Sequence, residues 1–507
     1  MNYAAVYFLY LITPISPLSE HPKLIIISFD GFRYDLLDSR LVPNLAEWTS
    51  SGAHFINGIA PQFPVFTAVN HMAISTGLYT ESHGVVSNVF FDRSRGRIFD
   101  YWNDTKTPGI YEATVDGTFF RHTGEPIWIT NERSGFRRRS ACINWPFCEV
   151  PYPMVPSRAS TYRVDWIDDR PLRERNKDVD EIVELFTNTY SPVNFVAWYI
   201  GEPDRVLHTH GFYDGYYEER MRELDILFGY FLEKMKSSGL SDKVNIIFTA
   251  DHGHTQVNGV DSVLCIEDHV DMKRIHWGFN MIYAEDKKHA DEIYASLTRA
   301  ISDNGYKIKL FKKENFDNRF HYTEGAHSSQ RIGDIILQAE PGYEVKFDCS
   351  AVKEAKNQHK PLHMSIHGLD PNEPESRAVL VLHGPSVKKG QKIDRIPQNI
   401  DLYPLMCYFL EIEPAPNNGT MLTFETNVEF TDIHRSFYHG FTIIVVPLVG
   451  MVILLIVVAA TQCCKGACTS RRAESEQSDR SIVSRRNVEK SSGEKEHGRS
   501  PDVDKNL

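Results

Sequence analysis

Apolar residues along this chain follow two different periods. Four short, nearly uninterrupted runs, at residues 24–28 (LIIIS), 195–200 (FVAWYI), 245–250 (NIIFTA) and 378–384 (AVLVLHG), read as parallel strands buried on both faces. Between them lie stretches with a period near 3.6, such as 216–236, where Met221, Leu224, Leu227, Phe228 and Phe231 share one helical face. Strands alternating with helices predict an α/β fold: a mostly parallel central sheet flanked by helices. No internal repeat is visible, and no linker divides residues 22 to about 410.

The two ends follow neither period. Residues 1–19 are apolar and aromatic (AAVYFLYLI) before turning to Pro and Ser, which predicts a secretory signal peptide although no Lys or Arg precedes the run. Residues 441–461 (FTIIVVPLVGMVILLIVVAAT) carry no charge and, at about 1.5 Å per residue, are long enough to cross a hydrocarbon layer of ~30 Å. Lys465, Arg471 and Arg472 follow, so the positive-inside rule predicts a single-pass type I protein of the cell membrane, with everything before residue 441 extracellular. The expected order is thus signal peptide 1–19, folded ectodomain 20–425, juxtamembrane stalk 426–440, transmembrane helix 441–461 and disordered cytoplasmic tail 462–507. The chain already has a stalk-like composition from Glu411 onward.

Composition narrows the function classes. At 42% hydrophobic and 24% charged the chain is ordinary globular material, and its net charge of -12 argues against a nucleic-acid-binding surface, which needs a Lys/Arg excess. Five cysteines precede the predicted span, Cys142, Cys148, Cys265, Cys349 and Cys407. The odd number leaves one unpaired within the chain, and Cys407, inside the apolar run LYPLMCYFL, is the expected buried free thiol. Sequons at Asn103 and Asn418 are the expected N-glycosylation sites.

The chemistry stands just past three predicted strands, where open α/β sheets place their ligands. Asp30 follows the first; Asp204, with His208 four residues on, follows the second; Asp251-His252-Gly253-His254 follows the third. A fourth segment supplies His367 beside Gly368. Asp30, Asp204, Asp251, His208, His252 and His367 together offer three ligands to each of two metals, and mixed Asp/His ligation suits zinc better than a hard all-oxygen ion. Two divalent ions against three carboxylates leave one positive charge, which favours a phosphodiester or pyrophosphate over a terminal monoester. Thr67 precedes a helix-like stretch, so its hydroxyl stands near free N–H groups suited to an anion; on local sequence alone it serves equally as nucleophile or as helix cap.

Taken in order, SFDGFR (28–33), Thr67 ahead of Asn70-His71, TGLYTESHG (76–84), EPD-x3-H (202–208), ADHG (250–253) and HG-x-D (367–370) resemble the nucleotide pyrophosphatase/phosphodiesterase family of the alkaline phosphatase superfamily. The closing PNNGT (416–420) before a membrane span is similar to its short, single-domain type I members. The resemblance implies one zinc on Asp204, His208 and His367, and a second on Asp30, Asp251, His252 and the Thr67 oxygen. It makes Thr67 the nucleophile of a phosphothreonine intermediate, and Asn88 a donor to the non-bridging phosphate oxygen. It also places Tyr162 and Trp145 at the nucleobase. One departure stands out: Ala68 occupies the position of the family's base-stacking Phe. The leading expectation is an ecto-enzyme cleaving nucleotide pyrophosphate or phosphodiester bonds to nucleoside 5′-monophosphates. The alternatives are a choline-phospholipid phosphodiesterase of the same family, with Ala68 widening the slot, and a catalytically inactive cell-surface binding protein.

Overall fold

Alternation along the first strand decides what each face of the sheet packs against. In β1 (Lys23–Phe29), Phe29 stands edge-on to Trp198, Phe228 and Phe248. Ser28, one residue earlier and therefore on the opposite face, hydrogen-bonds His71. Both faces are thus covered, and the strand is apolar along nearly its whole length. The computed structural model describes residues 18–101, 117–120, 122–150, 152, 161–163, 171–325, 327–362 and 364–431. The expected membrane span, the tail, Asn103, the side chain of Tyr162 and all but the last two residues of the expected signal peptide lie outside the described residues; among those described, no helix is long and apolar enough to cross a membrane.

Among the described residues, seven further strands join β1: β2 (Ala53–Phe55), β3 (Ser140–Ile143), β4 (Thr161–Arg163), β5 (Phe195–Ile200), β6 (Val244–Thr249), β7 (Leu380–His383) and β8 (Gln391–Ile393). Their order is β8-β2-β7-β6-β1-β5-β3-β4. The five from β6 to β4 are parallel. The run at 378–384, expected as another parallel strand, is instead antiparallel to both its neighbours. Burial on both faces yields the same apolar run in either direction, so the pattern carries no polarity.

Phe228 belongs to α6 (Tyr216–Ser237), which packs with α1 (Pro43–Ser51) and α4 (Asn176–Thr187) on one face. His71 belongs to α2 (Thr67–Thr76), which with α3 (Ile127–Arg133) and α7 (Leu402–Leu410) covers the other. The short α5 (Asp204–His210) follows β5. A smaller antiparallel sheet, His276–Gly278, Met281–Tyr283, Ile335–Ala339 and Ile308–Lys312, has a core of its own around Ile282, Leu297 and Ile335.

Of the expected stalk, residues 426–431 are described and pack on the domain, while 432–440 lie outside the described residues. Phe424 and Val428 are buried, the Phe430 ring lies 4.9 Å from that of Tyr408, and Thr431 N–H donates to Ser386 O. The folded unit therefore runs through Thr431, because isolated apolar residues in a polar stretch find partners on α7 and after β7. Disulfides join Cys142 to Cys148 and Cys265 to Cys349, while Cys407, within α7, is a buried free thiol.

Candidate metal centre

The C-terminal edge of the parallel strands is where the predicted residues meet. Asp30 leaves β1, Asp251 and His252 leave β6, and Asp204 opens α5 after β5. Asp204 and His208 lie one helical turn apart, with His208 Nε2 3.3 Å from Asp204 Oδ1. His367 follows the short strand Ser365–Ile366 and sets its Nε2 3.6 Å from the same Asp204 oxygen.

Two groups of side chains result: Asp30, Asp251 and His252 in one, Asp204, His208, His254 and His367 in the other. In the first, His252 Nε2 lies 3.1 Å from Asp251 Oδ2, 3.6 Å from Asp30 Oδ1 and 3.3 Å from Thr67 Oγ1. A four-coordinate ion with bonds near 2.0–2.1 Å spaces its ligand atoms by about 3.3 Å. These donors are therefore spaced for a single ion.

Hydrogen bonding and charge support the same fit. Asp30 Oδ1 and Asp251 Oδ2 are buried and have no hydrogen-bond donor among the described residues, an arrangement that is costly without a cation. Burial pushes the Asp30 carboxyl well above the ordinary carboxylate range, the charges of Asp251 and Asp204 adding to it; burial raises Asp251 too, against the pull of His71. Burial lowers His252 to about 4, so it is neutral at physiological pH. Its Nδ1 bonds Gly253 O at 3.2 Å, and His367 Nδ1 bonds Val65 O at 2.7 Å. Donation from each Nδ1 leaves the Nε2 lone pairs directed at the carboxylates, the usual outer-shell pattern of metal-ligating histidine.

Thr67 is held by its own helix. It is the first residue of α2, after the extended Phe66. Asn70 reaches back to fasten the approach, its Nδ2 donating to Phe66 O and its Oδ1 accepting from Gln62 N–H. His71 Nδ1 donates to Thr67 O while its Nε2 accepts from Ser28. Asn88 Oδ1 accepts from Ala68 N–H at 2.8 Å, so its Nδ2 is the amide's remaining donor. Thr67, Asn88, Asp204, His208 and His367 line one cavity of about 780 Å³.

Further lining of this cavity comes from the smaller sheet and the strand after it. Trp277, Phe279 and Phe347 stand there with Lys346 and Glu344, paired at 3.1 Å. None of these carried a sequence signal of function. Trp145, expected at the substrate, is buried instead: its indole N–H donates to Ser75 Oγ at 3.0 Å and its ring stands edge-on to His71. Ala68 is likewise fully buried. Phe66, one residue before Thr67, lines the cavity and meets Phe279 edge-on. Asn418 is exposed.

Comparison with known proteins agrees with this geometry. Residues 24–364 match the family described as type I phosphodiesterase / nucleotide pyrophosphatase. The chain belongs to this family. As a nucleotide pyrophosphatase/phosphodiesterase it is a hydrolase of pyrophosphate and phosphodiester bonds. Among its relatives is the mouse (Mus musculus) bis(5′-adenosyl)-triphosphatase ENPP4, 33% identical over 414 residues that cover 80% of each chain. Human (Homo sapiens) ectonucleotide pyrophosphatase/phosphodiesterase family member 5 is 28% identical over 418 residues, 81% of this chain and 79% of that one. A solved structure of murine family member 5, an inactive threonine-to-alanine variant in complex with AMP, superposes with a TM-score of 0.69 at 27% identity, covering 80% of this chain and all of that one. The sheet and its two helical layers are thus the alkaline-phosphatase-like α/β fold of this family.

Proposed function

We propose that this chain is an extracellular two-zinc enzyme that cleaves nucleotide pyrophosphate or phosphodiester bonds through a covalent intermediate on Thr67 and releases nucleoside 5′-monophosphates. The observation that carries the reading is Thr67 Oγ1, 3.3 Å from His252 Nε2 at the first turn of α2, in the cavity it shares with Asp204, His208 and His367. Asp30, Asp251, His252 and Thr67 would hold one zinc, and Asp204, His208 and His367 the other. Bound zinc supplies Lewis-acid charge that polarises the phosphoryl group and lowers the proton affinity of the threonine hydroxyl.

The chain's own groups do the rest. Thr67 Oγ1 forms a bond to phosphorus as the bond to the leaving phosphate or alcohol oxygen breaks, so the nucleoside phosphoryl group rests on Thr67. Water then breaks the phosphorus–Oγ1 bond, freeing the 5′-monophosphate and restoring the hydroxyl. The N-terminal N–H groups of α2 other than that of Ala68, which donates to Asn88 Oδ1, and the Asn88 amide are donors for the negative oxygens formed on the way. The mouse relative's name as a bis(5′-adenosyl)-triphosphatase, and the AMP bound to an inactive threonine-to-alanine variant of murine family member 5, support nucleotides as the substrate class.

A choline headgroup fits this cavity less well. A quaternary ammonium needs aromatic faces converging on it, whereas Trp277 and Phe347 lie flat on each other, 4.7 Å between centroids and 8° from parallel. Lys346 and Arg205 stand among the lining residues. Two disulfides support passage through an oxidising compartment, and residues 441–461 with their basic flank support the type I anchor. A substrate panel of dinucleoside polyphosphates, NAD, ADP and glycerophosphocholine tests the reading. Nucleotide turnover should vanish with chelator and return with Zn²⁺; full turnover by metal-stripped protein, or preference for glycerophosphocholine, would contradict it.

A further inference from the structure

We propose that His254 is a positioning residue of the metal site formed by Asp204, His208 and His367, holding the Asp204 carboxylate by a hydrogen bond rather than joining the site as a fourth ligand. The inference rests on the reading above, that these three residues bind a metal. His254 has the burial and the neighbours of a ligand: its side chain is fully buried, and its ring centroid lies 5.0 Å from that of His208 and 5.2 Å from that of His367.

Distance separates the two roles. His208 Nε2 and His367 Nε2 lie 3.3 and 3.6 Å from Asp204 Oδ1, close to the ~3.3 Å between two ligands of one four-coordinate ion. His254 Nε2 lies only 2.6 Å from that oxygen. That spacing is too short for two ligands sharing a metal and is normal for a charge-assisted hydrogen bond. The protons agree with the distance. A hydrogen bond at 2.6 Å between Nε2 and the carboxylate oxygen needs a proton between the two atoms. An ionised carboxylate can only accept, which puts that proton on Nε2. Nδ1 is then an acceptor for Ser365 Oγ, which lies 2.9 Å from it and 3.2 Å from Leu207 O, the hydroxyl donating to the nearer nitrogen. A nitrogen that carries a proton has no lone pair for a metal.

Gly31 keeps the ring in place from the other side. A Cβ at this position would meet His254 Cδ2 at 2.8 Å, Nε2 at 2.9 Å and Asp204 Cβ at 3.0 Å, and the backbone φ is +70°. The glycine after Asp30 thus leaves room for the histidine that orients a ligand of the neighbouring site. With Ser365 and Gly31 fixing the ring, Asp204 Oδ1 is held between His208 and His367. Outer-shell partners of this kind commonly contribute about 10–100-fold in metal affinity.

The test compares the purified full-length wild type with His254→Met, His254→Gln and Asp204→Asn. Zinc content is measured under graded chelator, and visible spectra are recorded after Co²⁺ replacement. His254→Met fills the space without a donor and should weaken one of the two ions about 10–100-fold, leaving the other unchanged. His254→Gln offers an amide N–H to Asp204 and should keep most of that affinity, with a cobalt spectrum of wild-type band position and intensity. The proposal falls if His254→Met holds both ions as tightly as wild type. It also falls if His254→Gln loses the ion and its cobalt spectrum shows a missing nitrogen ligand, which would make His254 a fourth ligand. Should His254→Met fail to fold, the affinity and cobalt spectrum of His254→Gln decide between the same two outcomes. Asp204→Asn guards the premise: if it retains both ions at wild-type affinity, the metal reading of Asp204 fails whatever His254 does.

Discussion

Asp251→Asn should make the metal-free protein more stable while weakening the metal site. Asp251 Oδ1 accepts from Gly31 N–H at 3.2 Å, whereas Oδ2 has no donor among the described residues and lies 3.1 Å from His252 Nε2. An asparagine keeps its oxygen toward Gly31 and turns its amino group to His252 Nε2 or Asp30 Oδ1, so two lone pairs that faced each other become a hydrogen bond. It also removes one of two buried negative charges whose ligand atoms lie within 4.8 Å; at an effective dielectric of about 20 that repulsion is worth about 3 kcal/mol when both are ionised. Burial raises both carboxyls, with the charges of Asp251 and Asp204 adding at Asp30 and that of Asp204 at Asp251, and protonation relieves part of the repulsion, leaving about 1–3 kcal/mol to recover. Unfolding entropy of about 2 cal/mol/K per residue turns this into a rise of about 1–4 °C in Tm for a domain of this size. With zinc the order reverses, because a neutral amide replaces an anionic ligand. Thermal unfolding with and without chelator, paired with zinc content, should show a higher stripped-protein Tm and a smaller zinc-dependent increment for the variant. A stripped variant less stable than stripped wild type, or one that keeps the full zinc increment, would refute the reasoning.

Three further outcomes are expected. Thr67→Ala should lower turnover by at least about 10³-fold with little change in zinc content, while Thr67→Ser keeps partial turnover because the chemistry needs the oxygen; near wild-type rates for the alanine variant would exclude a threonine nucleophile. Burial, with Arg331 beside it, lowers His83 to about 3, so between about 6.5 and 3 the unfolded chain takes up a proton that the folded one refuses, and stability falls as pH falls. His83→Gln should therefore reduce the stability lost between pH 7 and pH 5 by about 2 kcal/mol in urea unfolding, and an unchanged pH dependence would count against it. A tag after Leu507 should be inaccessible on intact cells while Asn418 carries glycan; an exposed tag would reverse the orientation inferred from Lys465, Arg471 and Arg472.

What the sequence disclosed follows from how local each signal is. The runs that became β1, β5 and β6 are apolar because both faces are covered, so they and the acidic residues just past them were readable one segment at a time. The direction of β7 was not, since a doubly buried run looks alike in either sense. Residues 411–440 read as stalk-like because Phe424, Val428 and Phe430 are isolated in a polar stretch, and the packing of the buried Phe424 and Val428 and the half-buried Phe430 depends on distant residues such as Phe55, Tyr408 and Phe409. His254 stood in view beside His252, yet a spacing of two across Gly253 does not say which way a ring turns. The wall formed by Trp277, Phe279 and Phe347 comes from strands of only three residues and the turns beside them, too short for any period to register. Trp145 matched by motif position, but its neighbours Ser75 and His71 bury it.

The central claim is that Thr67 carries the phosphoryl group. Acid-quenching the zinc-loaded enzyme during turnover of a dinucleoside polyphosphate, then analysing its peptides by mass spectrometry, tests this directly. The account predicts a nucleoside monophosphate adduct on Thr67, formed at a rate that matches turnover and absent from Thr67→Ala. Full turnover with no adduct at Thr67, and with one-step inversion at phosphorus in a chiral substrate, would contradict it.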